Sequence, residues 1–187
     1  TYRQPRQLDA CFQGIADGSV LPGEIAVADD GSGTETSTVI RDWAERLPIP
    51  VHHAWHPDQG YWRTRAGNLA FARCTLDYVV LLDSDCIPGR RWIEDHAELA
   101  EKGTWVQGRR ATIRQRAVER YLADRPGFWK ASVLGMVKNR KHGIRLPMPV
   151  VIRYRKLKRT IACNMAIWRD DLVAVTGWNE EFRSYGG

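Results

Sequence analysis

The stretch Tyr78-Val-Val-Leu-Leu-Asp-Ser-Asp85, followed by Cys86-Ile87-Pro88, decides the fold of this chain. Five consecutive apolar residues run into two carboxylates spaced i, i+2. A run that short, bounded by Asp77 and Pro88, predicts a strand buried on both faces. Carboxylates at the exit of such a strand lie where open α/β sheets bind their ligands. Negative charge at a ligand crevice calls for a cation, and a cation there calls for an anionic partner.

Working outward, the chain alternates. Pro5 suits a helix start, and Leu8, Cys11, Phe12 and Ile15 give a stripe ending near Gly18. A strand over 24–28 runs into the polar turn Asp29-Asp30-Gly31-Ser32-Gly33. A helix over 34–47 carries Val39, Ile40, Trp43 and Leu47 on one side and stops at Pro48 and Pro50. Then come a strand over 51–55, a loop, a helix over 64–74, the 78–82 strand, a helix over 91–102 and a strand over 105–108. This alternation predicts an α/β class with a mainly parallel sheet flanked by helices. Beyond Arg110 it weakens: a helix is expected over 118–129, a basic loop over 138–159, a strand over 161–168, and a helix over 169–175 stopped by Gly177.

With 187 residues, 43% of them apolar, the chain has the size and content of one globular domain, 1–187. No stretch approaches the ~18 apolar residues of a membrane span. Thr1-Tyr-Arg-Gln-Pro5 carries no apolar leader segment, and the start without Met and the stop at Gly187 suggest a chain truncated at both ends. Cys11, Cys74, Cys86 and Cys163 form no C-x-x-C pair, which argues against zinc and for free thiols in a reducing compartment. Cys86 reads as a packing residue. The charge is uneven. Of the 28 Lys and Arg, 12 fall between Arg125 and Arg169, a segment without a single Asp or Glu. That pattern points to a local anionic partner.

Three constellations carry chemistry. Asp83 and Asp85 offer hard oxygens suited to Mn²⁺ or Mg²⁺, which bind through one or two carboxylates plus substrate phosphates. The alternative is a turn cap at Asp83 and a solvated Asp85. Asp29 and Asp30 end a second strand, where a carboxylate can accept from a base or a ribose; the alternative is an Asx turn before the next helix. The loop His56-Pro-Asp-Gln-Gly-Tyr-Trp-Arg63 with Asn68 sets an arginine at a helix start, a diphosphate-binding arrangement, unless it is a simple surface loop. His52, His53 and His56 are not expected to cluster, since adjacent residues of a strand face opposite ways.

Together these residues resemble a known family. Tyr2 with Pro5, the strand into Asp29-Asp30-Gly31-Ser32, Asp58-x-Gly60-Tyr61 with Arg63 and Asn68, and Leu81-Leu-Asp-Ser-Asp-Cys-Ile-Pro88 occur in the order typical of family 2 glycosyltransferases of the GT-A fold. Cys163-Asn164-Met165-Ala166, Gly177-Trp178-Asn179-Glu180-Glu181-Phe182 and Tyr185-Gly186-Gly187 look like that family's acceptor-side block, similar to galactosyltransferases and bacterial polysaccharide polymerases.

The resemblance implies transfer of a sugar from a nucleotide diphosphate, usually UDP, to an acceptor hydroxyl, with inversion, in surface polysaccharide or lipopolysaccharide synthesis. It assigns donor contacts to Tyr2, Asp29 or Asp30, Arg63, Asn68 and Asp83, and the metal, as a DXD motif, to Asp83 and Asp85. Trp178, Tyr185, Gly186 and Gly187 would border the acceptor. Residues 1–110 would form the nucleotide-sugar half and 111–187 the acceptor half, with its basic segment 125–169. Tyr2-Arg3 and Gly67-Asn68 depart from the family's usual Tyr-Asn and Arg-Asn. The general base is expected just beyond Gly187, with Glu180 and Glu181 as weaker candidates of structural character.

A nucleotidyltransferase would share the fold but needs a Gly-rich basic loop that Thr1–Gln7 lacks. A non-catalytic polyanion-binding module would rest on the basic segment alone; nucleic acid is not an expected partner, since no such motif accompanies it. The same segment would suit an anionic membrane surface beside a saccharide or lipid-linked saccharide acceptor. The expected location is cytoplasmic, peripheral on the inner face of the membrane.

Overall fold

Pro5 fixes the backbone for a first helical turn and lacks the N–H that such a turn leaves orphaned, and α1 (Pro5–Ala16) starts on it. The computed structural model describes residues 1–146 and 162–182. Leu8 and Phe12 of α1 meet Ile40, Trp43 and Leu47 from α2 (Thr34–Arg46) and the residue after it, over Val27 of β1 (Ile25–Asp29). Phe12 and Trp43 stack with centroids 5.6 Å apart, and the Trp43 indole N–H donates to Asp9 at 2.7 Å. Each of these side chains, once fully buried, contributes about 1.5–3 kcal/mol. Strand β1 pairs in parallel with β2 (Val51–Trp55), Ile25 opposite Val51 and Asp29 opposite Trp55, with α2 as the crossover.

The apolar run forms β3 (Tyr78–Leu82), at the expected bounds. Two expectations need correction. Every residue of β3 is half-buried, not enclosed on both faces. Its partner is antiparallel β7 (Asn164–Trp168), and β4 (Val106–Gln107) joins the other side of β7, leaving β3 at a sheet edge among the described residues. The parallel pairing predicted from strand–helix alternation thus holds for β1 and β2 only. A third small pair, β5 (Thr112–Ile113) with β6 (Val137–Lys138), is also antiparallel. Both of its strands are two residues long, too short for any periodicity.

The remaining helices are α3 (Arg63–Phe71), α4 (Trp92–Glu98), α5 (Val118–Asp124), α6 (Phe128–Val133) and α7 (Arg169–Ala174). The single helix expected over 118–129 is broken. Arg125 takes a left-handed conformation (φ +41°) before Pro126, and its guanidinium is held by Asp9 of α1. The side-chain carbonyl of Asn164 accepts from Trp92 Nε1 at 2.9 Å and His96 Nε2 at 2.8 Å, which fastens α4 over the sheet.

Candidate active site

Strands β1 and β3 each run into a turn that carries two aspartates. At the end of β1 the two adjacent carboxylates have opposite fates. Asp29 is fully enclosed; it accepts the Ser32 N–H at 2.9 Å on one oxygen and His53 Nε2 at 2.8 Å on the other. Burial would raise its pKa, but the bonds from His53 and Ser32 hold it below the ordinary aspartate range. Both oxygens are committed, so Asp29 builds the turn.

Asp30 points into the loop after β2. Both of its oxygens receive the Trp62 N–H, at 3.1 and 3.2 Å, and His56 Nε2 lies 3.1 Å from one of them. Burial pushes the Asp30 carboxyl up, against the pull of that N–H and of His56. Gly31 has φ +87°, and a Cβ there would lie 2.5 Å from the Asp58 Cα, so only glycine lets the two loops touch. Asp58 accepts from the Tyr2 hydroxyl at 3.0 Å, from Arg3 at 2.7 Å and from the Gly60 N–H at 3.1 Å. Tyr2, Asp30 and the 56–63 loop therefore share one edge. The histidines do not cluster: His52 faces Glu24, and His53 faces Asp29.

The exit of β3 is shaped by two backbone bonds, Asp83 N–H to the Cys163 carbonyl at 3.3 Å and Cys86 N–H to the Asp83 carbonyl at 2.9 Å. This turn fans the two carboxylates apart. Asp85 is exposed, with a contact from the Cys86 thiol at 3.6 Å. Burial, reinforced by Asp85, pushes the Cys86 thiol up to about 12, so no thiolate nucleophile exists at neutral pH. Asp83 turns the other way. Arg63, the first residue of α3, donates to one of its oxygens, and Arg110 lies 3.5 Å from the other.

Sequence reasoning passed over Arg110. The signal was available, since Arg109-Arg110 follows a strand just as the acidic pairs follow theirs.

Asn68 sits elsewhere than the resemblance placed it. Its amide donates to the Trp178 carbonyl and to Glu180, both at 2.9 Å, and accepts the Trp178 N–H at 2.9 Å. It fastens the 177–180 turn to α3, and Glu180 is spent on that clamp. Trp178 lies over Gly67, where a Cβ would come 3.4 Å from its ring, and meets Phe71 edge-on at 6.2 Å. Glu181 is exposed, its backbone N–H capped by Asn179 at 2.9 Å. Tyr185, Gly186 and Gly187 lie outside the described residues.

Hyaluronan synthase of Pasteurella multocida is 33% identical over 105 residues, covering 54% of this chain and 10% of that protein. Chondroitin synthase of Pasteurella multocida is 31% identical over 104 residues, and that of Escherichia coli 32% over 76, covering 10% and 11% of those proteins. The chain thus spans about a tenth of the length of these relatives. Among solved structures, a mannosyltransferase from Pyrobaculum calidifontis in complex with GDP-Man and Mn²⁺ superposes with a TM-score of 0.61 at 21% identity, over 97% of this chain and 46% of that one. The shared architecture is the GT-A fold. The family described as Glycosyl transferase family 2 matches residues 1–172, and on that match the chain belongs to glycosyl transferase family 2.

Proposed function

We propose that the protein moves a sugar from a UDP donor to an acceptor hydroxyl, with inversion and with a divalent cation, in bacterial cell-surface polysaccharide synthesis. The observation that carries this reading is the turn at the exit of β3. It presents Asp85 to solvent while two arginines from different elements flank Asp83.

An exposed carboxylate with open surroundings fits Mn²⁺ or Mg²⁺, which keep waters and take few protein ligands. Among the described residues no three His, Cys, Asp or Glu side chains converge, so the fit is to a cation shared with a diphosphate, not to an all-protein cage. Held by Asp85 and Asp83, it would neutralise charge on the departing nucleotide diphosphate. Arg63 and Arg110 would bind that diphosphate from two sides, their present bonds to Asp83 showing the reach of each. Tyr2 and Asp30 would hold the nucleoside. Residues 1–110 serve the donor and 111–187 the acceptor, a saccharide or lipid-linked saccharide met from the cytoplasmic side of the membrane. Trp178, Tyr185, Gly186 and Gly187 would border the acceptor, and the base that deprotonates its hydroxyl would follow Gly187.

Calorimetric titration tests the reading. UDP is expected to bind in the presence of Mn²⁺, to lose affinity on chelation, and to outcompete GDP. Absence of any metal-dependent nucleotide binding would overturn it, and a preference for GDP would overturn the choice of UDP.

For Arg110→Ala, a rise of about 10-fold or more in the UDP dissociation constant is expected, since a charged hydrogen bond to phosphate contributes about 1.5–3 kcal/mol. Arg110→Lys would recover part of it, as a point charge without the planar fork. An affinity unchanged within about twofold in Arg110→Ala would remove Arg110 from the donor site.

A further inference from the structure

We propose that the face formed by α6 and the neighbouring turn Arg140–Gly143 docks onto an anionic lipid bilayer. This deepens the functional reading by naming the surface that would carry a lipid-linked acceptor. It rests on that reading for its purpose only.

One side of α6 is core: Ala131 is fully buried and, with Phe128, packs beside Met136, Val137 and Ala117. The opposite side is also apolar yet faces solvent. Trp129 is 67% exposed and Val133 86%, and their i, i+4 spacing puts them on one side of the helix; Leu134 follows at 46%. The 3₁₀ turn Arg140–Gly143 lies against this helix. Arg140 donates to the Ser132 carbonyl at 3.4 Å, and Gly143 abuts the Phe128 ring, where a Cβ would come within 2.3 Å. Ile144, 44% exposed, continues from it.

The polar residues of this face carry one sign. Lys130, Lys138, Arg140 and Lys141 form no ion pair with a carboxylate among the described residues, whereas Arg145 is paired with Asp95. No Asp or Glu stands between Arg125 and Arg169, so a counter-charge has to come from elsewhere in the fold, as Asp9 and Asp95 supply it to Arg125 and Arg145.

The mixture selects the occupant. A soluble polyanion would satisfy the cations and leave Val133 and Trp129 in water. A second copy of the chain would cover the apolar side chains but set cations against cations. An anionic bilayer meets both needs: tryptophan and aliphatic side chains enter the headgroup boundary, and lysine and arginine meet the negative surface.

Co-sedimentation with vesicles tests it, using phosphatidylcholine alone or mixed with phosphatidylglycerol. The protein is expected to bind the anionic vesicles only, less tightly as salt rises. Trp129→Ala with Val133→Asp would lower that partitioning about 10-fold or more, and so would Lys130→Glu with Lys141→Glu. Equal binding to both vesicle types, no binding to either, or unchanged binding by both variants would overturn the proposal. So would self-association without vesicles that the first variant abolishes. Mn²⁺-dependent UDP titration of the same variants keeps the two readings apart. Both variants are expected to titrate like the parent, and vesicle binding with no UDP binding in any of them would sink the donor reading and leave this surface standing.

Discussion

Asp85→Asn is expected to lower kcat for sugar transfer on the order of 100-fold or more and to abolish the effect of Mn²⁺ on UDP affinity, while the fold stays intact. A 100-fold loss corresponds to about 2.7 kcal/mol of transition-state stabilisation. The two halves of this expectation rest on different observations. The functional half follows from exposure: among the described residues, Asp85 is the carboxylate of the β3 turn that no arginine pairs with. The structural half follows from the poverty of its contacts, a thiol at 3.6 Å. Losing that contact changes stability within about 0.5 kcal/mol, the usual range for an exposed site. Asp83→Asn is a less clean test, because it also releases Arg63 and Arg110. UDP affinity that still depends on Mn²⁺ in Asp85→Asn, with kcat within about tenfold of the parent, would refute Asp85 as the metal carboxylate.

Asp29→Ala is expected to cost about 3 kcal/mol of stability, the largest structural effect at the site. The substitution strands the buried Ser32 N–H and takes from the partly exposed His53 ring its carboxylate partner. For a chain of 187 residues this lowers Tm by about 6–12 °C. Urea unfolding measures it directly, and a loss below about 1 kcal/mol would contradict the assigned role.

The sign of the pH dependence is also fixed. The folded pKa of Asp29 lies below its unfolded value, so its contribution is complete above the ordinary aspartate pKa of about 3.9. It is lost as pH falls through the lower folded value. Wild-type stability should therefore drop in acid by a component the variant lacks. Asp30 behaves oppositely: its folded pKa is raised, so its ionisation subtracts stability as pH rises through the ordinary aspartate range.

Local signals located the strands that matter. The apolar run 78–82 and the stretch 51–55 directly after Pro50 gave the bounds of β3 and β2, because a short strand flanked by charge or proline has few registers open to it. Pairing direction was not legible. Nothing in Tyr78–Leu82 itself says that its neighbour is a segment more than 80 residues later, running the opposite way. The break after α5 was written in Arg125-Pro126-Gly127, and apolar periodicity across it hid the proline. Residue type at a strand end or helix start singled out Asp29, Asp30, Arg63, Asp83 and Asp85 as candidates, and the family resemblance added Tyr2. What separates Asp29 from Asp30 is which side of one peptide faces His53, and that is set only when β1 and β2 pair. The use of Asn68 was hidden for a similar reason: its partners are 110 and 112 residues away.

That last clamp has a bearing on engineering. Gly67 and Asn68 of α3 and Gly177, Trp178 and Glu180 of the later turn form one interlocked module, since a Cβ at Gly177 would strike the Asn68 amide oxygen at 2.5 Å. A chimera that takes residues 63–71 from one family member and 177–180 from another separates a lock from its key. Crossovers that keep the two segments together, and libraries confined to the exposed Asn179 and Glu181, would vary the outer edge of this turn while leaving its clamp to α3 untouched.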